Sequence, residues 1–594
     1  MPDLQTYLRS IFAVMVAKLM QMKQRAIILL ITCLSLFSIS AWLHSVKLPD
    51  TKKSDLTVAN FDFFSYRGMD SFYTENPLPG EDYFYNPILP GWNSDPSICS
   101  NGEDFFLVTS SFVFFPGVPI FHSRDLVNWK QIGFVLDRPS QLINFEGQRT
   151  SQGIFAPAIS YNPHNQTYYM ITTNVGAGNF FVKTKDPFGS WSEPIWMREV
   201  HGIDPSFFFD EDGKAYILNN DAPPDKPEYE GHRAIWIREF DVENEKCVGP
   251  EKVLINGGVR PEEKPIWIEG PHMYNINGQY FLMAAEGGTG PMHSEVILKG
   301  DSPMGNFIPW ENNPILTQRH LSSERPNPIT CAGHADLVRE KNGKWWSVFL
   351  ACRPIDNQFE NLGRETFLLP VRWSNDDFPY MTQGDELIPM IVNKENVQRN
   401  AEVTFGNFER RDEFNSEKLS YDWFTLRSPA THLYSLNEKP GFLSLQCVDV
   451  NAAEQKTPAF IARRMQHHLF ECETTILFEP QNEEDAAGLL LYKDESHQYF
   501  LAVRRSGNNT KISLEKISGK GTEELGEQMI PLQNTIRLKV ISKGMYYDFY
   551  FGSGNQPYEL LAENINAHYL STANSFGFTG TVIGMYATRR STDP

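Results

Sequence analysis

The chain has 594 residues, of which 41% are hydrophobic and 13% aromatic, and it carries a net charge of −20. That length predicts two folded units after any targeting segment, and the acidic balance disfavours a nucleic-acid binder. The 41 Gly and 39 Pro, with the high aromatic content, point to many turns and to an all-β fold.

At the N-terminus, Lys23 and Arg25 precede an apolar run over 26–43, and Ser38 and Ser40 offer small residues for cleavage. The region 1–45 therefore reads as a signal peptide or, left uncleaved, as a membrane anchor. The expected location is exported, periplasmic or secreted. Residues 46–82 read as a polar lead-in. Seven cysteines are scattered without a CxxC pair, which argues against zinc ribbons and thioredoxin-like sites. Most are expected to be free, buried thiols.

Over 83–373, short β-rich runs alternate with Gly, Pro, Asn and Asp turns. The segments DGKAYIL (212–218), NGQYFLM (277–283) and NGKWWSVF (342–349) each set an Asx-Gly turn before an aromatic strand, which is hairpin chemistry. A short polar motif precedes each hairpin: SDPSI at 94, APAIS at 156, IDPSF at 203, EGPHMY at 269 and GHADLV at 333. Five such units predict a five-bladed β-propeller rather than a plain sandwich. Residues 374–407 read as a packed linker. From 408 to 594 the strands alternate cleanly: Phe470, Cys472, Thr474 and Ile476 share one face. That pattern predicts an antiparallel β-sandwich with one solvated face.

Three acids open blades beside Pro or Gly: Asp95, Asp204 and Glu269. A lone Asp-Pro-Ser is an ordinary turn. Copies in blade register, however, would converge on the channel axis, where carboxylates repel and their pKa values separate. Glycoside hydrolysis needs one carboxyl protonated to release the leaving oxygen and another ionised to activate water.

The motifs NPILPGWNSDPSI (86–98), FFPGVPIFHSRDLVNWKQIG (114–133), GIFAPAI (153–159), GIDPSFFFDEDGKAYI (202–217), EGPHMYNINGQYFLMAAEGGT (269–289), GHADLV (333–338) and LGRETFLLPVRW (362–373) resemble glycoside hydrolase family 43. Its members are five-bladed propellers acting as β-xylosidases and α-L-arabinofuranosidases. RRDEFNSEKLSYDWFTLRSP (410–429) and FGFTGTVIGMYATR (576–589) resemble the concanavalin-like C-terminal sandwich of its longer members. The resemblance implies Asp95 as general base, Glu269 as general acid and Asp204 as the residue that tunes the acid. It implies Arg364 as a substrate contact, and His334 as the residue facing a water-coordinated calcium in the channel. No cofactor is expected for the chemistry. Trp92, Phe114, Phe155, Ile203 and Thr289 are expected at the sugar. Phe115 and Trp267 are further stacking candidates with core packing as the rival role. Phe114, Phe155, Ile203 and Val113 depart from the family's usual residues, which leaves the choice of pentose open. The expected substrate is a xylo- or arabino-oligosaccharide, attacked from its end. The alternatives are a binding propeller without catalysis and an endo-arabinanase. Absence of a long Gly/Ser or Pro-rich tether predicts that the sandwich docks rigidly and walls the pocket.

Overall fold

Asx-Gly turns set the hairpins. In the computed structural model, Ile276 pairs with Gln279, and the two-residue turn between them puts Asn277 at φ 55° and Gly278 at φ 79°. Both central residues are left-handed, as a type I′ turn requires. The structure describes residues 56–398 and 404–589; the leader read at 1–45 lies outside them. Among the described residues, no helix is long and apolar enough to cross a membrane.

Five consecutive antiparallel sheets form the first unit. Their first strands are Ser97–Ser100, Ala158–Asn162, Ile203–Phe209, Glu269–Ile276 and Thr330–Arg339. Each touches the next, and the fifth touches the first, so the ring closes as a five-bladed propeller. Closure is sewn by backbone from ahead of the first blade. Ile88 N–H donates to Thr366 O (2.9 Å), and Asn93 N–H donates to Arg364 O (3.0 Å). The segment bearing Asp95 is thereby tied to Arg364 and to the strand Glu365–Pro370 that follows it.

The second unit is a sandwich of an eight-stranded and a six-stranded sheet. Its larger sheet corrects one expectation. Val58–Gly68, within the stretch read as a lead-in, is an inner strand of that sheet, between Leu443–Gln446 and Leu469–Phe478. Ala59, Phe61, Phe64 and Tyr66 are fully buried in the sandwich core. A bulge between Phe61 and Phe64 shifts the register, which breaks the period-two pattern by which a strand is recognised. The stretch after the propeller is packed: Val392 pairs with Phe84, and Phe378 lies parallel to Trp310 at 5.5 Å. The six described cysteines are free, and all but Cys247 are buried.

Candidate active site

Asp95, just ahead of Ser97–Ser100, Asp204, second in Ile203–Phe209, and His334, within Thr330–Arg339, lie in the left-handed region at φ 53°, 51° and 51°, and Gly270 does so at 57°. For the three non-glycine residues this conformation costs on the order of 1–3 kcal/mol each and persists only where the surroundings enforce it. The residues at this repeated kink, Asp95, Asp204 and His334, line one cavity. The kink also refines the register read from sequence. Asp95 and Asp204 occupy one position, immediately before Pro, whereas Glu269 lies one residue earlier, in register with Ile203 and Phe155. Gly270 fills the equivalent position because a Cβ there would come within 2.9 Å of the His334 ring.

The three carboxyls face one cavity of about 490 Å³. Arg364 pairs with Asp95 at 3.0 Å and donates to Thr289 Oγ1 at 2.8 Å. Ser110 Oγ–H also donates to Asp95. Asp204 accepts from Gly270 N–H at 3.2 Å. Burial, reinforced by the Asp95 charge, pushes Asp204 up to about 7. Burial, then the charges of Asp204 and Asp95, push Glu269 well above the usual carboxyl range. Burial pushes His334 down to about 4, although its Nδ1 lies 3.9 Å from Asp95. The imidazole is therefore neutral at neutral pH. The site thus offers a carboxyl held protonated beside a carboxylate paired with a guanidinium.

Phe155, Ile203, Thr289 and His334 line the cavity, and so does Trp267, under the Arg233 guanidinium at 4.4 Å. Trp92 and Phe114 do not, which corrects their assignment to the sugar. Trp92 is fully buried, with its ring 4.9 Å from Phe114, 5.8 Å from Phe424 and 4.3 Å from the Arg464 guanidinium. Phe114 sits 4.9 Å from Phe424. Both rings cement propeller to sandwich. Phe115 is likewise buried and pairs with Thr425 of the second unit. The wall also takes residues not singled out from sequence, among them Phe112, Met292 and Phe578. Phe578 comes from the sandwich. Its ring stacks on Phe112 at 6.2 Å, meets Phe155 edge-on at 5.7 Å and lies 5.2 Å from the Arg364 guanidinium.

A calcium in the channel is tested by the donors present. Among the described residues, no group of three or more His, Cys, Asp or Glu could hold a metal ion. Asp336, on the His334 strand, is already committed to Ser97 Oγ–H (2.8 Å), Ile98 N–H (2.9 Å) and Tyr274 O–H (2.7 Å). Calcium asks for roughly six to eight oxygen ligands. Asp336 is thus already occupied by three donors, and no step below depends on a calcium.

A propeller whose channel mouth gathers three carboxyls and an arginine, backed by a concanavalin-like sandwich, defines an enzyme of the glycosyl hydrolase class. Residues 84–379 match the model of Glycosyl hydrolases family 43, and residues 411–594 match the Beta xylosidase C-terminal Concanavalin A-like domain. The chain belongs to glycosyl hydrolase family 43. It is 37% identical over 514 residues to a Xylosidase/arabinosidase of Butyrivibrio fibrisolvens, covering 84% of this chain and 95% of the relative. It is 35% identical over 524 residues to a Non-reducing end alpha-L-arabinofuranosidase of Bacteroides ovatus, covering 85% and 91%. The crystal structure of a GH43_12 retrieved from a capybara gut metagenome superposes with a TM-score of 0.84 at 42% identity, covering 90% of this chain and all of that one.

Proposed function

We propose that this enzyme removes terminal arabinofuranosyl or xylosyl units from hemicellulose-derived oligosaccharides, with inversion at the anomeric carbon. The observation that carries the reading is the division of labour among the carboxyls: Glu269 raised, Asp95 paired with Arg364, both on one cavity. Water attacks the anomeric carbon and gives a proton to Asp95. The glycosidic bond breaks, and Glu269 passes its proton to the departing oxygen. Asp204, whose charge helps keep Glu269 protonated, tunes the acid.

The names of the relatives support the pentose assignment, and the wall that Phe578 of the sandwich adds to the cavity supports attack from the chain end. The apolar surfaces of Phe155, Ile203 and Trp267 suit the carbon face of a sugar, and Arg364 and Thr289 suit its hydroxyls. From the leader pattern we place the enzyme outside the cytoplasm.

The test is turnover of p-nitrophenyl α-L-arabinofuranoside and β-D-xyloside, with the first-formed anomer read by proton NMR. The expected product is the inverted anomer. A retained anomer would overturn the mechanism. Sugar binding without release would make the protein a lectin-like propeller. Longer oligomers released from linear arabinan would make it an endo-enzyme.

A further inference from the structure

Lys493 is a cation inside the sandwich, on the strand Asp485–Asp494, and only 1% of its surface is exposed. Its Nζ donates to Thr579 O and, at 3.1 Å, to Thr572 Oγ1. No carboxylate is bonded to it among the described residues; the charges acting on it include Asp494 and Glu360 nearby. Burial pushes this ammonium down to about 8. A buried amine held mainly by a carbonyl and a hydroxyl is an expensive way to fasten a loop, because desolvating the charge costs more than neutral bonds return. An apolar side chain would cost less, so the location of that carbonyl is informative.

Thr579 directly follows Phe578, among the described residues the one aromatic ring that the sandwich sends into the catalytic cavity. The same short loop is gripped on its other side by the propeller. Phe578 N–H donates to Ser151 Oγ at 2.8 Å, and Ser94, the neighbour of Asp95, reaches Phe578 O at 3.5 Å. Gly577 and Gly580 flank the loop where side chains do not fit. A Cβ on Gly577 would come 2.4 Å from Ser151 Oγ, and one on Gly580 would come 2.2 Å from Leu362 O. Thr572, the second partner of Lys493, donates its N–H to Glu360 O of the propeller at 3.3 Å. Lys493 thus stands at the root of a wedge whose tip is Phe578.

We infer that Lys493 is a positioning residue: by holding Thr579 O and Thr572 Oγ1 it fixes the 572–580 loop so that the Phe578 ring closes the sugar pocket. It touches no reacting atom. It acts through Phe578, on sugar affinity rather than on the chemical step. This rests on the function proposed above.

The test compares full-length wild type with Lys493→Met, Thr572→Val, Phe578→Ala and the double variant Lys493→Met/Phe578→Ala on the two aryl pentosides. Lys493→Met keeps the bulk of the side chain and discards the ammonium. It should raise KM about fivefold or more while kcat stays within about twofold, the signature of lost binding common to ground and transition states. Its melting temperature should not fall, since a desolvated charge is removed. In the Phe578→Ala background the same change should add less than about twofold to KM, because the two residues act as one unit. Thr572→Val should shift KM in the same direction.

An unshifted KM in Lys493→Met, or an effect that adds in full on top of Phe578→Ala, would overturn the inference. So would loss of soluble protein in both single-partner variants, which would assign Lys493 to folding. Wild type inactive on both glycosides counts against the proposed function. An active wild type with an unmoved Lys493→Met counts against this inference alone.

Discussion

Glu269 and Asp204 are buried carboxyls whose neighbours disfavour ionisation, and each makes its own prediction. Glu269→Ala removes the proton donor but leaves Asp95 and its water. Turnover of poor leaving groups should fall by roughly 10²- to 10⁴-fold, the range of general acid catalysis, whereas dinitrophenyl glycosides should be largely spared. Equal losses on both would remove Glu269 from the acid role. Asp204→Asn deletes the second-ranked cause that raises Glu269, after burial itself. The alkaline limb of the pH–rate profile should move to lower pH but should not reach that of an exposed carboxyl, because burial remains. Stability should respond with a definite sign. The folded-state pKa of Asp204 lies above its ordinary value, at about 7. The stability this contributes is complete at acid pH and is lost as pH rises through about 7. Asp204→Asn should therefore melt higher than wild type at pH 8 and show a smaller advantage at pH 5. A melting difference independent of pH would show that Asp204 is not a buried titrating group.

At the scale of elements, two short segments set the pocket: the left-handed openings of the blades and the 571–581 loop of the sandwich. Gly580 belongs to the second. A Cβ on it would meet Leu362 O at 2.2 Å, so Gly580→Ala must displace either this loop or the 361–363 segment, which leads into Arg364. Asn361 ties the two together, since its carbonyl accepts from Thr581 N–H at 2.8 Å and its Nδ2 donates to Ala567 O at 2.6 Å. Gly580→Ala should therefore destabilise by about 1–3 kcal/mol, as overpacking does, and raise KM for aryl pentosides. A variant with unchanged melting and unchanged KM would show the seam to be slack. The same scale explains what sequence made legible. Asx-Gly turns and blade-opening motifs are local, so the hairpins and the three acids Asp95, Asp204 and Glu269 are legible in them, whereas Arg364 and His334 stood out only through the resemblance to family 43. Trp92 and Phe114 were misplaced because their partners, Phe424 and Arg464, lie more than 300 residues away. Phe578 is not legible in the sequence, because nothing local distinguishes a ring that crosses to another unit's cavity from one that stays in its own sheet.

The whole molecule is knitted at both ends. The sandwich is completed by Val58–Gly68, from ahead of the propeller, and the propeller's pocket is completed by Phe578, from near the other end. Propeller and sandwich consequently lie in one compact unit. The Val58–Gly68 strand buries Phe61, Phe64 and Tyr66 completely. At roughly 1.5–3 kcal/mol for each large apolar side chain, removing it forfeits stabilisation comparable to the roughly 5–15 kcal/mol that a folded domain has in hand. A chain lacking residues 1–68 keeps every propeller strand and every other sandwich strand. It should nonetheless lose the sandwich's cooperative melting, and with it turnover of aryl pentosides, because Phe578 and the 361–364 segment lose their support. A chain ending at 398 should fare no better, for it leaves Phe61, Phe64 and Tyr66 without the sheet that covers them. Removing both the first 68 residues and everything after 398 takes away that exposed strand. Such a propeller is expected to be more soluble than the chain ending at 398, yet with KM raised by the missing wall. Calorimetry and aryl-pentoside kinetics on the three shortened chains decide the matter. Full activity in the doubly shortened propeller would make the sandwich a detachable module, and a normal sandwich transition after loss of residues 1–68 would show that the strand is dispensable.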